Sequence, residues 1–162
     1  MRRFGWLVIC GVFLLFVIVA YKIVDVEPVG AAIKATPDDV ELEMYYDDLE
    51  NLALATMAEC GFVKSDECIR ATADVMINRV DSPNFPDSFY GVFSQPGQYS
   101  TFRLYNTINP TDRVYTICRE QLEYFWVHGE TQHPGAFYFR TNHYHNFGRP
   151  LYQIGPHYFT GI

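Results

Sequence analysis

Glu59 closes an apolar run, Leu52-Ala53-Leu54-Ala55-Thr56-Met57-Ala58-Glu59. Burial at the end of such a helix favours the protonated carboxyl, which is the form a general acid needs. A solvated Glu at a helix C-terminus is the alternative, and the helix dipole slightly disfavours it. Farther along, Gln95, Gln98, Tyr99, Ser100 and Thr101 follow a break in the helical pattern. Their amides and hydroxyls suit sugar hydroxyls and acetamido groups, and Tyr99 and Ser100 are the two expected to line a groove. Asn78 and Arg79 stand late in a helical segment, where multi-donor side chains bridge a helix to a loop, so structural support is the role expected of both. Asn142-His143-Tyr144-His145 places two imidazoles at i and i+2, on one face of a strand, as in some zinc peptidases. No third ligand is apparent, since His133 precedes Pro134 in a turn-like stretch, and neither metal nor cofactor is expected.

The elements that must position these residues are written in caps and stops. Thr36-Pro37-Asp38-Asp39 reads as a helix start, and helical spacing continues through Leu49, Leu52, Ala53, Met57 and Cys60 to Gly61, with an interruption expected near Tyr46-Asp47. Ser65, with Asp66 and Glu67 behind it, starts a second helix that runs through Ile69, Ala73, Met76 and Val80 and ends at Asp81-Ser82-Pro83. Residues 84–110 are rich in Pro, Gly, Ser and Asn and predict a long ordered loop with a short helical piece around Phe89 to Phe93. Asn109-Pro110-Thr111-Asp112 repeats the cap pattern, and a third long helix follows to Gly129. The aromatic and β-branched segments 135–139, 152–154 and 157–159 suit a small hairpin or sheet. The fold class expected is α+β, predominantly helical, with a small β-hairpin.

Gly5 to Val24 is almost entirely apolar and long enough to cross a bilayer as a helix, with Lys22 able to reach the interface. Arg2 and Arg3 ahead of it hold the N-terminus in the cytoplasm by the positive-inside rule, which places the remainder outside, in the periplasm or beyond the cell. The reading is a single-pass anchor over residues 1–26, a linker over 27–40 and one domain over 41–162; a cleaved signal peptide is the rival. The partners expected are a lipid bilayer for the first segment and, for the domain, no nucleic acid, because the formal net charge of −7 and the lack of a basic stripe oppose phosphate binding. The aromatic content of 17% would suit sugar stacking wherever rings are exposed on a groove wall. Cys10 lies in the apolar run, leaving Cys60, Cys68 and Cys118. One bridge plus one buried thiol is the simplest account in an oxidising compartment, and Cys60 with Cys68 is the candidate pair across the turn between two helices.

The segments Leu52 to Glu59, Asp74-Val75-Met76-Ile77-Asn78-Arg79-Val80, Ser82-Pro83-Asn84-Phe85-Pro86 and Tyr90 to Ser100 resemble, in order and spacing, the successive motifs of the SleB-like cell wall hydrolases. Gly135 to Phe139 and Ile154-Gly155-Pro156-His157-Tyr158-Phe159 are similar to that family's closing motifs. The resemblance implies a lysozyme-like or lytic-transglycosylase-like fold that cleaves the bond between N-acetylmuramic acid and N-acetylglucosamine of peptidoglycan, with Glu59 as the catalytic glutamate. It also implies that the region of Tyr138 and His157 closes the substrate cleft, although core packing explains both equally well. A zinc-dependent endopeptidase acting on the peptide stems and a non-catalytic peptidoglycan-binding membrane protein are the competing classes. Asp66, Glu67, Asp74, Asp81 and Asp87 are candidates for a second catalytic carboxylate, but helix starts and solvated loops account for all of them. A lytic transglycosylase, which needs only one, is therefore the expected reaction. Wall remodelling, spore-cortex digestion and a virus-encoded role in entry or lysis all need that chemistry.

Overall fold

The computed structural model describes residues 37–162, and the expected membrane anchor and most of the linker lie outside the described residues. Among the described residues no helix is long and apolar enough to cross a membrane. The order of elements is α1 (Pro37–Cys60), α2 (Asp66–Asp81), α3 (Phe89–Ser94), a 3₁₀ turn (Ser100–Leu104), α4 (Asp112–His128), β1 (Tyr138–Thr141), β2 (Arg149–Ile154) and β3 (His157–Gly161).

Helix α1 starts at Pro37, where the fixed φ of proline and its missing N–H are harmless. No interruption occurs at Tyr46-Asp47: the Asp47 carbonyl accepts from Asn51 Nδ2 at 2.8 Å, and the Tyr45 ring packs 4.9 Å from that of Trp126. Residues Glu41 to Met44 are exposed, whereas Leu52 to Met57 are all buried. The stretch from Leu52 to Met57 therefore has no solvent face, because α2, α3, α4 and the 3₁₀ turn all pack on α1. Gly61 lets the chain turn away at once: a Cβ there would stand 2.1 Å from Met57 Sδ and 2.8 Å from the Met57 carbonyl oxygen.

The expected cap of α2 and stop of α4 are observed, but α4 is capped by Thr111, two residues beyond the Asn109 cap that the Asn109-Pro110 pattern predicts. Ser65 Oγ accepts from the Cys68 N–H at 3.3 Å, Thr111 Oγ1 accepts from the Val114 N–H at 3.4 Å, and Gly129 ends α4 at φ 71°. Helix α2 is buried on two sides. Ile69, Met76 and Ile77 join the helical core with Leu52, Phe93 and Leu122, while Ala71 and Val75 meet Ala136 and Phe159 of the sheet side. The expected hairpin, β2 with β3, is extended by β1 into a three-stranded antiparallel sheet of order β1-β3-β2. Strand β1 begins later than the aromatic run at Gly135 because the Ala136 and Phe137 carbonyls turn to α2, accepting from Asn78 Nδ2 at 2.9 Å and Arg79 Nε at 2.6 Å.

The segment between α4 and β1 is clamped to α2 by polar groups. Thr131 Oγ1 donates to Asn78 Oδ1 at 2.8 Å, and Asn78 Nδ2 also donates to the His133 carbonyl at 3.0 Å. The two ring nitrogens of His133 meet Asp74 Oδ2 at 2.7 Å and Glu67 Oε1 at 3.0 Å, an arrangement that suits an imidazolium donating from both. Burial alone would lower the His133 pKa, but the hydrogen bond and charge of Asp74, followed by those of Glu67, outweigh it and leave it raised. Burial likewise raises the Asp74 carboxyl, and His133 offsets only part of that.

A raised folded pKa on a histidine contributes stability that is complete below the unfolded value of about 6.5 and fades as pH climbs through the folded value. His133→Gln should therefore cost roughly 1–3 kcal/mol near the acid end of that window. Thermal melts across pH should show the gap between parent and variant narrowing as pH rises.

Candidate active site

Glu59 lies on the last turn of α1, half-buried, and Glu59 Oε1 accepts a hydrogen bond from Thr101 Oγ1 on the 3₁₀ turn. Burial raises its pKa, and the Thr101 hydrogen bond and the Arg79 charge pull the other way without cancelling the effect. The carboxyl thus keeps its proton to higher pH than an ordinary glutamate, and the two neighbours hold the carboxylate once the proton leaves.

Arg79 is 3% exposed. Its Nε donates to the Phe137 carbonyl, and the guanidinium carbon lies 5.2, 5.0 and 5.1 Å from the ring centroids of Phe85, Tyr99 and Tyr138. Rings from the loop after α2, the segment before the 3₁₀ turn and β1 therefore converge on one cation. Arg79 Nη1 and the Tyr99 hydroxyl are both buried without a hydrogen-bond partner. Burial pushes the Tyr99 hydroxyl up to about 12, so it remains a neutral phenol.

The structure brings together Glu59, Tyr99 and Tyr138 around Arg79, with Thr101 on the carboxylate. Tyr99, expected to line a groove, is corrected: it is buried in the helical core against Phe93, at 5.6 Å between centroids. Gln98 and Ser100 are exposed on either side of it, and Gln95 is partly buried at the end of α3 with its Oε1 unpartnered. Asn78 and Arg79 have the supporting contacts expected of them. His157 is corrected: it is 4% exposed and its Nδ1 faces Cys68 Sγ at 3.0 Å, inside the domain.

The Cys60–Cys68 bridge is corrected as well. Cys60, Cys68 and Cys118 are free and buried, Cys68 being turned toward β3 by its contact with His157 while Cys60 Sγ faces the Cys68 carbonyl at 3.9 Å. Burial lifts the three thiols to about 12, 11 and 12, so they pack as thiols.

Among the described residues, none of the candidate second carboxylates acts on Glu59. Asp66 pairs with Arg113 at 2.5 Å, Glu67 and Asp74 hold His133, and Asp81 and Asp87 are exposed. His145 Nε2 meets the Phe139 carbonyl at 3.3 Å. Among the described residues no group of three or more His, Cys, Asp or Glu side chains is placed to hold a metal ion. Two features were not anticipated: the bond from Thr101 to Glu59 and the Asp74–His133–Glu67 cluster. A charge inside the apolar stretch Ala73-Asp74-Val75 was the available signal for the second.

A family model described as Cell Wall Hydrolase matches residues 64–160, so Glu59 falls just ahead of the matched stretch. Among solved structures, the chain is similar to the catalytic domain of the Bacillus cereus SleB protein, with a TM-score of 0.59 and 20% identity, covering 71% of this chain and 90% of that one. It is also similar to the catalytic domain of the germination-specific lytic transglycosylase SleB from Bacillus anthracis, with a TM-score of 0.57 and 20% identity, covering 70% and 93%. No curated protein matches the sequence.

The buried carboxyl carries a measurable cost. Because its folded pKa is raised, stability is lost as pH rises through that value, so Glu59→Gln should melt roughly 2–6 °C higher than the parent at neutral pH. The gap should close in acid. Thr101→Val removes a donor that favours the carboxylate and should move the alkaline limb of a pH–activity profile to higher pH.

Proposed function

The chain belongs to the SleB-like family of cell wall hydrolases, and from that premise we propose that it cuts the glycan strands of bacterial peptidoglycan with Glu59 as general acid. The observation that carries this reading is a single carboxyl at the end of a buried helix, held by Thr101 with its proton affinity raised by burial, beside an immobilised guanidinium. Glu59 donates its proton to the glycosidic oxygen as the bond from C1 of N-acetylmuramic acid breaks, and Thr101 and Arg79 hold the carboxylate that results.

The finer reaction is lytic transglycosylation. A hydrolase of the usual kind places a second carboxylate across the bond as base or nucleophile, and the groups that act on Glu59 include Thr101 and Arg79 but none of the candidate Asp or Glu residues. The acetamido oxygen of the muramic acid takes the nucleophile's place at C1. The sugar's own 6-hydroxyl then attacks C1 and returns its proton to Glu59, leaving a 1,6-anhydro end. The Bacillus anthracis SleB domain to which the chain is similar is a lytic transglycosylase, in line with this. Residues 1–26 serve as a membrane anchor, residues 27–40 as its linker, and the domain acts on the outer side of the membrane, a placement resting on Arg2, Arg3 and the apolar run that follows.

Glu59→Gln should lower turnover of purified wall by roughly a hundredfold or more while the fold persists. Digests by the parent, reduced with borohydride, should contain muramic ends that resist reduction and weigh one water less than hydrolytic ends. Reducible muramic acid as the sole new end would instead make the enzyme a hydrolase. For the anchor, a C-terminal reporter active only outside the cytoplasm should be active in the membrane fraction, whereas a soluble shortened form would mean cleavage.

A further inference from the structure

The loop joining β1 to β2 holds an aromatic side chain in the open. Phe147 is 49% exposed, yet its ring is fixed from behind. It meets the Tyr138 ring edge-to-face at 5.1 Å and 90°, and the His145 ring at 4.6 Å and 36°. Tyr138 and His145 are themselves 5.9 Å apart, so the three rings form one cluster.

The backbone of this loop is pinned at both ends. Asn142 is the one non-glycine residue with positive φ among the described residues, at 75°. Gly148, at φ 69°, passes so close to β3 that a Cβ would stand 2.2 Å from the Gly161 carbonyl oxygen. His145 Nε2 adds the contact to Phe139. Exposure of Phe147 is thus the outcome of a constrained loop, and a ring that could have folded inward is presented outward.

The cluster is continuous with the site around Glu59. Tyr138, which backs Phe147, is also one of the three rings on Arg79, and Arg79 is the cation that acts on Glu59. His145 lies within the field of Arg79, Arg140 and His143, and with burial as the leading cause its pKa is lowered, so at neutral pH it is an uncharged donor or acceptor.

We infer that Phe147, backed by Tyr138 and His145, is a stacking platform for a pyranose ring of the glycan strand, one or more sugars away from the bond that Glu59 protonates. A pyranose has an apolar face of axial C–H groups and a rim of hydroxyls. An exposed aromatic face takes the first, and a neutral imidazole beside it can bond the second. The exposed Arg140 next to it offers a cation to the carboxylates of peptide stems on neighbouring sugars. The platform grips sugars away from the reacting bond, so its contribution falls on ground-state binding as much as on the transition state. The inference rests on glycan cleavage by Glu59, and its test separates the two.

Parent, Phe147→Ala and Phe147→Trp are assayed as the full chain on stem-free glycan oligomers of increasing length. Binding of the same oligomers to Glu59→Gln and Glu59→Gln/Phe147→Ala is followed by calorimetry, with circular dichroism confirming that each variant is folded. Phe147→Ala is expected to raise KM by roughly tenfold on long oligomers and by much less on the shortest cleaved one, with Phe147→Trp restoring the parent value. The double variant should bind long oligomers weaker by a similar factor. A parent that cleaves, beside a folded Phe147→Ala with unchanged KM at every length, overturns the platform and leaves the function standing. A parent that neither binds nor cleaves glycan overturns both.

Discussion

A guanidinium cannot shed its charge, so an arginine with almost no exposure must be built into its surroundings. Arg79 is that residue here. Its Nε holds the Phe137 carbonyl, which fixes where the chain enters the sheet, and its planar head is faced by rings from three separate segments. The loop after α2, the inward packing of Tyr99 and the placement of Tyr138 all meet at this one cation. Its charge also reaches Glu59, where it works against burial. Burial and the neighbouring charge thus oppose each other at Glu59, and burial is the larger, which leaves its pKa raised.

Helix α2 lies at the centre of this scheme because it is the element with both a helical and a sheet side. Apolar residues on one side complete the helical core and small ones on the other admit Phe159 and Ala136. Three of its polar residues share one job. Asp74, Asn78 and Arg79 form a ladder of contacts to successive groups of 131–137, so that irregular backbone is satisfied in part by side chains from a rigid helix. The setting of Arg79 beside Glu59 is in this way referred to a helix.

How much of this was legible follows the range of the interactions. Ser65 and Gly129 mark helix ends through contacts within a few residues, and those ends were predicted in place, whereas Thr111 took the cap expected of Asn109. Glu59 at the end of an apolar run was readable for the same reason, and the resemblance in motif order led to the family that the comparison finds. The other errors are long-range. Cys60 and Cys68 are neighbours across a turn, but Cys68 finds His157, far along the chain, and no local signal announces it. The same contact takes His157 out of the cleft. Asp74 in an apolar stretch demanded a partner, yet only the folded chain shows that His133 supplies it. The continuous course of α1 through Tyr46 depends on Trp126, another distant residue.

The order of the strands, β1-β3-β2, has a consequence in time. The middle strand follows both of its neighbours in the chain, so β1 and β2 have no partner in each other when they first emerge from synthesis or from a membrane pore. Until β3 arrives, both present open edges, and the rings that β1 carries have no sheet to orient them. Helices α1 and α2, by contrast, can form and associate from sequence already in hand. The half-buried carboxyl of Glu59 thus lies on a helix that can assemble early, and the rings of β1 gain their orientation late. A chain lacking only β3 would have its helical core without the aromatic surface beside it.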